Sequence, residues 1–424
     1  IITLAWKNVW KNKRRSFLTL LTIIAGSTMI ILMNAISLGS HDQMIEDAVA
    51  LNTGHIQIHE KGYWDNRSLD YAFKDDSDVN EFIKKLMTSK KIKAYSKRII
   101  AGGLFSHKDT TAGAILMGVE PDKAKNVTTV FQKIKKGGRY LKVTDKNKII
   151  LGKTLAKNLG ATVGSSISII SQSFIGSIAA ENVKVIGLFE SGNPEYDRSI
   201  AMMNFSQAKE TFLMMNYINS IVVRLNKVKE MTMVKNKIKK YLKAKQATCM
   251  KTEDSLQCSK YEVLGWNELM PELVQWIAMD DFGLYVFDFI LFMVVAFGLL
   301  NTIQMSVFER TRELGVMLAI GTTPRQVTVM VICESFFITL IGVLMGIAFG
   351  SALSIYFTYF PIEFTDYAQE FAAFQMNTTI LPAHLTVSNI LWTAVLLIVL
   401  SLLFTYFPAR RASKLNPIDA IRQL

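Results

Sequence analysis

The chain of 424 residues contains few side chains spaced for catalysis or metal binding. His55 and His59 are four residues apart, a spacing that can hold a metal ion when it occurs on a helix. They alternate with Ile56 and Ile58, which is typical of a strand, so we expect both imidazoles on one exposed strand face. Two neighbouring strand histidines are more often structural or solvated than metal ligands, and no metal site is predicted.

A tripeptide GKT at Gly152, Lys153 and Thr154 is part of what a phosphate-binding loop needs. That loop also requires a glycine five residues earlier, so that backbone amides can wrap the phosphates. Position 147 is Asn, and a turn that opens a helix is therefore expected. No GxSxG or HExxH motif occurs either, so we predict no catalytic residues and no directly bound cofactor.

Two carboxylates, Asp288 and Glu334, lie in or near long apolar segments. Burying a carboxylate in a membrane is costly, which makes such residues functional candidates. Both lie close to the ends of their segments. We therefore expect the side chains to extend to the membrane interface, rather than to form a proton relay.

Cys249 and Cys258 lie close together in a polar segment, at a spacing too wide for a CxxC redox or zinc pair. If this segment is outside the cytoplasm, a disulfide that closes a short loop is the simplest expectation. Cys333 falls in an apolar run, where a small buried hydrophobic side chain is expected.

Composition indicates a membrane protein with a sizeable water-facing domain, because half of the residues are hydrophobic. The formal charge of +13 raises the question of nucleic-acid binding. The basic residues are scattered and are not interleaved with aromatic residues, so no nucleic-acid partner is predicted. Membrane orientation explains part of the excess better.

Four apolar segments are long enough to cross a bilayer, which takes about 20 residues of helix. They are 17–38, 282–305, about 327–360, and 390–407. The first is too long for a signal peptide and lacks a clear cleavage site, so an uncleaved anchor is expected.

Basic residues cluster before the first span, between the second and third, and after the fourth, which predicts that both termini are cytoplasmic. These residues are Lys7, Lys11, Lys13, Arg14, Arg15, Arg310, Arg312, Arg325, Arg410, Arg411, Lys414 and Arg422. The predicted domains are then 1–39 (amino terminus and first span), 40–281 (extracytoplasmic), and 282–424 (three spans and a cytoplasmic tail).

Segment 40–281 alternates strand and helix patterns. GHIQIHE, SSISIISQS and NSIVVRL are typical of strands, whereas DVNEFIKKLM has helical spacing with lysines on one face. The predicted fold class is an α+β membrane protein, with four transmembrane helices and a large extracytoplasmic α+β domain between the first and second.

Gly342, Gly346 and Gly350 recur every four residues in the third span. Glycines on one helix face let two backbones approach closely. The pattern fits tight packing within one chain and equally fits a moving or dimerising interface.

Between the second and third spans, Leu314, Met317 and Leu318 share one helical face, and Glu309 and Glu313 share another. Gly321 can stop a helix and Pro324 can start one. The pattern predicts a short amphipathic helix joined to two spans.

The segment LLNTIQMSVFERTRELGVMLAIGTTPRQV closely resembles the core of FtsX-like ABC-transporter permeases, and the ending PARRASKLNPIDAIRQL is similar to that family's tail. AWKNVWKNKRRSFLTLLTIIAG and TGHIQIHEKGYW resemble its first span and the start of its outer domain. The resemblance implies that 308–321 is a coupling helix that docks on an ATPase. Its coupling residues would be Phe308, Glu309, Arg310, Arg312, Glu313, Leu314 and Gly315.

The family also implies a permease dimer, homomeric or heteromeric, working with two copies of a cytoplasmic ATPase that uses ATP and Mg. The permease itself would be non-catalytic. Only some sixteen residues precede the first span, so a fused amino-terminal ATPase is not expected. The pattern most resembles lipoprotein-releasing permeases, which also implies contacts with membrane lipids and a periplasmic carrier. Drug or peptide efflux with an adaptor, regulation of a cell-wall hydrolase, and a receptor or scaffold without an ATPase remain alternatives.

Overall fold

The computed structural model describes residues 2–11, 13–252, 258–363 and 380–414, and these form two compact units. The membrane unit contains 2–43, 276–363 and 380–414. The outer unit contains 44–275. The predicted tail after Lys414, including Arg422, lies outside the described residues.

Helices account for nearly all of the membrane unit and alternate with strands in the outer unit. The helices are α1 Ile2–Lys11, α2 Lys13–Ala48, α3 Tyr63–Asn66, α4 Ser77–Thr88, α5 Pro121–Val127, α6 Lys153–Leu159, α7 Pro194–Ser199, α8 Phe205–Thr211, α9 Met231–Thr252, α10 Trp266–Leu269, α11 Pro271–Glu309, α12 Thr311–Ala319, α13 Pro324–Tyr359 and α14 Val387–Ser413. The strands are β1 Ile56–Glu60, β2 Phe73–Lys74, β3 Ile92–His107, β4 Thr110–Val119, β5 Lys148–Gly152, β6 Ser166–Gln172, β7 Ile178–Phe189, β8 Ile200–Asn204, β9 Tyr217–Ile218, β10 Ser220–Leu225, β11 Tyr261–Gly265, β12 Ile362–Glu363 and β13 Ile380–Leu381.

Four helices in the described part of the chain are long and apolar enough to cross a membrane: α2, α11, α13 and α14. Helices α2, α11 and α14 contain their predicted spans and extend beyond them, and α13 covers the third span except its last residue. The prediction of four transmembrane helices is confirmed. The division between the two units falls within α2 and α11.

Close packing of α13 against α2 depends on the three glycines of the third span. A Cβ at Gly342 would lie 2.8 Å from Ile23, and one at Gly350 would lie 3.0 Å from Ile31. At Gly346 it would overlap Ser27. The structure therefore brings these glycines onto another helix of the same chain. On its other side, α13 contacts α14 through buried hydroxyls, with Ser335 Oγ 2.7 Å from Thr405 Oγ1.

The outer unit is built on a nine-stranded sheet within the described residues, in the order β11-β1-β10-β3-β4-β8-β5-β7-β6. The pairs β4–β8 and β5–β7 are parallel, and the other pairs in this order are antiparallel. This mixed sheet between α2 and α11 confirms the predicted fold class.

One long strand, β3, gives the sheet its shape. Residues 92–98 pair with β10, residues 98–107 pair with β4, and residues 103–106 also pair with β6. The pairing with β6 closes six strands into a barrel. Its interior includes Phe105, Leu116 and Ile169, which are almost completely buried.

The other half of the sheet is covered on one face by α4 and α9. Ile56 and Ile58 of β1 pack there against Ile83 of α4 and Ile238 of α9, and all four are buried. Strand β1 follows α2, and β11 precedes α10 and α11. These two strands are antiparallel neighbours, with Ile56 opposite Gly265.

The predicted exposure of His55 and His59 is wrong, because both side chains are buried. Strand β1 lies inside the sheet between β10 and β11, and its second face is covered as well. His59 Nε2 is 2.8 Å from Gln57 Oε1, and the imidazole stacks on Trp64. Burial lowers the pKa of His55 to about 4 and that of His59 to about 3, with smaller effects of Arg224 and Lys93 on the former and Arg67 on the latter.

Two smaller sequence features have clear places in the fold. Strand β5 ends at Gly152, and the GKT segment opens α6. Cys249 in α9 is disulfide-bonded to Cys258, with their Cα atoms 5.9 Å apart.

Candidate functional site

The charged segment between α11 and α13 folds as a short separate helix. Helix α11 ends at Glu309, Arg310 occupies the break, and α12 runs from Thr311 to Ala319. Gly321 then takes a φ of 100°, a left-handed conformation that favours glycine. Thr323 caps α13 and exchanges hydrogen bonds with Gln326, so the direction of the chain is fixed on both sides of α12.

One face of α12 packs against the membrane unit. Leu314 and Gly315 are buried, and Met317 and Leu318 are half-buried. Leu314 belongs to a core cluster with neighbours from α1, α13 and α14, namely Ala5, Val327, Met330 and Ala412. Burial of this face holds α12 against three other helices.

Ion pairs hold the break between α11 and α12 in place. Arg310 Nη1 lies 3.0 Å from Glu334 Oε2 of α13, and Arg310 Nε lies 3.1 Å from Glu313 Oε2. Lys11 Nζ of α1 lies 2.6 Å from Glu313 Oε1, and Arg15 of α2 pairs with Glu309. We call these six residues the charge cluster.

The ion pairs of the charge cluster differ in how strongly water screens their charges. The Arg310 and Glu334 side chains are 13% and 15% exposed, whereas those of Lys11 and Glu313 are 58% and 48% exposed. Hydrogen bonding to Lys11, with a further contribution from Arg310, holds the pKa of Glu313 below its usual range. The buried pair therefore fixes the position of α12, and the exposed pair adds little, because water screens it.

The opposite face of α12 points away from the core. Arg312, Val316 and Ile320 follow one another at intervals of four residues, which places them on one side of the helix. Val316 is 43% exposed and Ile320 is 78% exposed, and Phe308 at the end of α11 is 69% exposed. We call Phe308, Arg312, Val316 and Ile320 the outward face.

The seven predicted coupling residues therefore separate into three groups. Phe308 and Arg312 lie on the outward face. Glu309, Arg310 and Glu313 form ion pairs, and Leu314 and Gly315 are buried in the core. Sequence reasoning missed Val316 and Ile320, although their four-residue spacing from Arg312 was visible. It also missed the roles of Lys11, Arg15 and Glu334, which become neighbours of α12 only through tertiary packing.

The chemistry available here is that of binding. In the described parts of the chain no group of three or more His, Cys, Asp or Glu residues is placed to hold a metal ion. The outward face has three large apolar side chains and one arginine, and it is held in place by buried contacts, so it is suited to docking another protein.

Comparison with known proteins places this arrangement in a family. Residues 285–417 match the FtsX-like permease C-terminal domain, and residues 16–241 match the MacB-like periplasmic core domain. The second match alone covers more than half of the chain. The chain belongs to the FtsX-like, MacB/LolC-type family of ABC transporter permeases. It is therefore a multi-pass membrane protein of the permease type.

Curated relatives of this FtsX-like permease include exporters and a lipoprotein-releasing protein. The macrolide export ATP-binding/permease protein MacB of Neisseria gonorrhoeae is 23% identical over 98% of this chain, which spans 59% of that relative's length. The lipoprotein-releasing system transmembrane protein LolC of Neisseria meningitidis serogroup B is 22% identical over 97% of this chain and 96% of its own. Among solved structures, the periplasmic region of MacB from Actinobacillus actinomycetemcomitans is similar over 54% of this chain and 95% of its own, with 17% identity and a TM-score of 0.36.

Proposed function

We propose that this FtsX-like permease is the membrane subunit of an ABC transporter that converts ATP hydrolysis by a separate ATPase into movement of its outer unit. The observation behind this proposal is the outward face of α12, which is exposed and is fixed from behind by the charge cluster. A docked ATPase pressing on such a rigid helix would displace α2 and α13 together. Both termini would then be cytoplasmic, in a bacterial inner membrane, and the outer unit extracytoplasmic.

We further propose that the cargo is a lipid-anchored protein released from the membrane by a permease dimer. In support, this chain and LolC align over nearly the whole length of both. The proposed partners are two copies of the ATPase, which would bind ATP and Mg, a second permease copy, and a periplasmic carrier.

Drug or peptide efflux through an adaptor is a second candidate function. The alignment with MacB, which covers 98% of this chain, favours it to a similar degree. Release of a fluorescent lipoprotein from proteoliposomes to a soluble carrier would support the first function. Adaptor-dependent export of a macrolide with no lipoprotein release would support the second.

The coupling role is tested by changing the outward face alone. Arg312→Glu combined with Ile320→Glu should abolish copurification of the co-expressed ATPase and cargo-dependent ATP hydrolysis, because both side chains are exposed. Arg310 is unsuitable for this test, since its loss would also leave Glu334 unpaired. Lys108→Glu, in the turn between β3 and β4, is the matched control. Normal copurification and hydrolysis in the double variant would contradict the proposal, and failure of the unmodified chain to bind any ATPase would favour a receptor or scaffold.

A further inference from the structure

An open groove of about 720 Å³ lies between the first turns of α2 and the last turns of α11, beside the charge cluster. Four basic residues line it, and Glu309 is the carboxylate that lies with them among the described residues. The basic residues are Lys11, Lys13, Arg14 and Arg15. The lining of this groove therefore carries an excess of positive charge.

Two of the four cations have partners within the protein. Arg15 pairs with Glu309, and Lys11 pairs with Glu313. Lys13 and Arg14 are exposed, and neither forms an ion pair with a carboxylate in the part of the chain that the structure describes. Two positive charges are thus available to an anion in the groove, on side chains that solvent already reaches.

Apolar side chains continue the groove away from its basic end. Leu18 follows Lys13 by five residues on α2, a rise of roughly 7–8 Å at 1.5 Å per residue. Met305 precedes Glu309 by one turn of α11, so it lies at a similar depth. Leu18 is 56% exposed and Met305 is 54% exposed. An apolar chain that enters the groove can contact both.

The distance between the basic and apolar ends matches the dimensions of a lipid leaflet. A bilayer is about 40–45 Å thick and its hydrocarbon core about 30 Å, which leaves roughly 5–8 Å for the head groups of each leaflet. The rise from Lys13 to Leu18 is of this size. A phospholipid can therefore place its phosphate at the cations and its acyl chain at the apolar side chains.

We propose that this groove binds an acidic phospholipid, with the phosphate held by Lys13 and Arg14 and an acyl chain along Leu18 and Met305. Basic pockets between transmembrane helices bind acidic lipid heads in this way. In phosphatidylcholine and phosphatidylethanolamine a cationic head offsets the phosphate, and the two unpaired cations repel it. The groove thus selects lipids by net charge. The inference requires only that α2 and α11 span a membrane, and it is independent of ATPase coupling and of the cargo.

Native mass spectrometry of the full chain in neutral detergent tests the selection. The chain is titrated with one phospholipid at a time, and the concentration that half-saturates the first bound lipid is measured. Phosphatidylglycerol should half-saturate at about 25-fold lower concentration than phosphatidylcholine, because each cation near a membrane surface contributes roughly a fivefold gain. Phosphatidylethanolamine should resemble phosphatidylcholine. Equal half-saturation by phosphatidylglycerol and phosphatidylcholine would overturn the proposal.

Lys13→Gln combined with Arg14→Gln should reduce the preference to less than about fivefold, because it removes both unpaired cations. Arg410→Gln combined with Arg411→Gln is the matched control. These two arginines are exposed and lie outside the groove, in the last turn of α14, which ends beside α1. The control should keep the full preference. A preference that persists in the first variant, or that falls equally in the control, would overturn the proposal.

Leu18→Ala combined with Met305→Ala tests the contact with the acyl chain. Both side chains are more than half exposed, so the fold should tolerate the change. Phosphatidylglycerol should half-saturate this variant at about tenfold higher concentration, because apolar contact area is lost. Glycerol phosphate, which has the head without the chains, should not displace phosphatidylglycerol from the unmodified chain at the same concentration. Unchanged binding in the alanine variant, or displacement by glycerol phosphate, would assign the groove to a soluble anion and overturn the lipid proposal.

Discussion

Arg98 Nη1 donates a hydrogen bond of 2.6 Å to the backbone carbonyl of Asn52, in the π-helical turn Val49–Thr53 that continues α2. Arg98 is 3% exposed, and no carboxylate pairs with it in the described parts of the chain. A buried guanidinium without an anion is normally very costly. Here the carboxyl end of a long helix supplies partial negative charge, because its last carbonyls have no partners within the helix.

Two further carbonyls of this helix end also accept hydrogen bonds from the outer unit. Thr129 N donates to the carbonyl of Ala50 at 2.9 Å, and Gln57 Nε2 donates to that of Thr53 at 2.7 Å. Arg98 belongs to β3 and Gln57 to β1, so the helix end is attached directly to the sheet. The attachment lies entirely within the outer unit.

Arg98→Met should lower the free energy of unfolding of the outer unit by about 2–3 kcal/mol, because it removes charge-assisted hydrogen bonds and leaves the Asn52 carbonyl unpaired. Arg98→Lys, which keeps the charge, should cost less. Urea titration of the purified chain, followed by tryptophan fluorescence, measures both, with the exposed Lys108→Met as control. A loss below about 0.5 kcal/mol in Arg98→Met would show that the helix dipole and hydrogen bonds matter little here.

Stability of the outer unit should fall as pH falls from 7.5 to 5. The folded-state pKa values of His55 and His59, about 4 and about 3, lie below the ordinary value of 6.5, so in this window protons bind the unfolded chain and not the folded one. Protonation of each histidine in the unfolded chain should therefore lower the free energy of unfolding by about 2 kcal/mol at pH 5 relative to pH 7.5. Urea titrations across this range measure the slope. His59→Gln should reduce the slope of stability against pH by the contribution of one proton. An unchanged slope would mean that His59 titrates normally in the folded chain.

The ion pair of Arg310 with Glu334 should show strong energetic coupling. Arg310→Gln and Glu334→Gln should each lower the stability of the chain by about 3 kcal/mol, because each change leaves the partner charge buried and unpaired. The loss in the double variant should be smaller than the sum of the two by roughly 1–2 kcal/mol. The exposed pair of Lys11 with Glu313 provides the contrast, with an expected coupling of about 0.5 kcal/mol that weakens in salt. Thermal unfolding in detergent measures both cycles. Equal coupling in the two pairs would be inconsistent with the difference in burial.

Gly346→Ala should destabilise the membrane unit by about 1–2 kcal/mol, because the added Cβ would overlap Ser27 of α2. Ser27→Gly should restore stability in the double variant. Gly283→Ala is the matched control, since the added Cβ would project from α11 into open space. That change should be neutral or stabilising by up to about 1 kcal/mol through helix propensity. Similar thermal midpoints for the two alanine variants would argue against close packing of α13 on α2.

Periodicity and length predict the local elements of this chain well. The four spans follow from apolar runs long enough to cross a bilayer, β1 and β6 follow from alternation, and β10 follows from a short apolar run. The sequence does not reveal that β3 pairs with β6 and closes a barrel, because this contact depends on strands distant in the chain. The burial of His59 escaped prediction for the same reason, since it depends on the neighbours of β1 on both sides.

At the candidate site, too, the sequence predicts the local helix but does not predict its tertiary contacts. The spacing of charged and apolar residues on α12 indicates an amphipathic helix, and Gly321 and Pro324 mark its end and the start of the next helix. Which residues face outward depends on where α1, α13 and α14 pack. Arg310 is an example, because its partner Glu334 lies 24 residues away, on another helix.

The opposition of Ile56 and Gly265 places the two ends of a sequence of more than 200 residues side by side. A segment bounded in this way can be removed or exchanged as a cassette through two neighbouring cuts, with little disturbance to the helices on either side. Recombination between genes of related permeases would then be able to replace the outer unit while the transmembrane helices are kept. Exchange of this segment would leave α12 and the charge cluster unchanged, because those residues lie outside it.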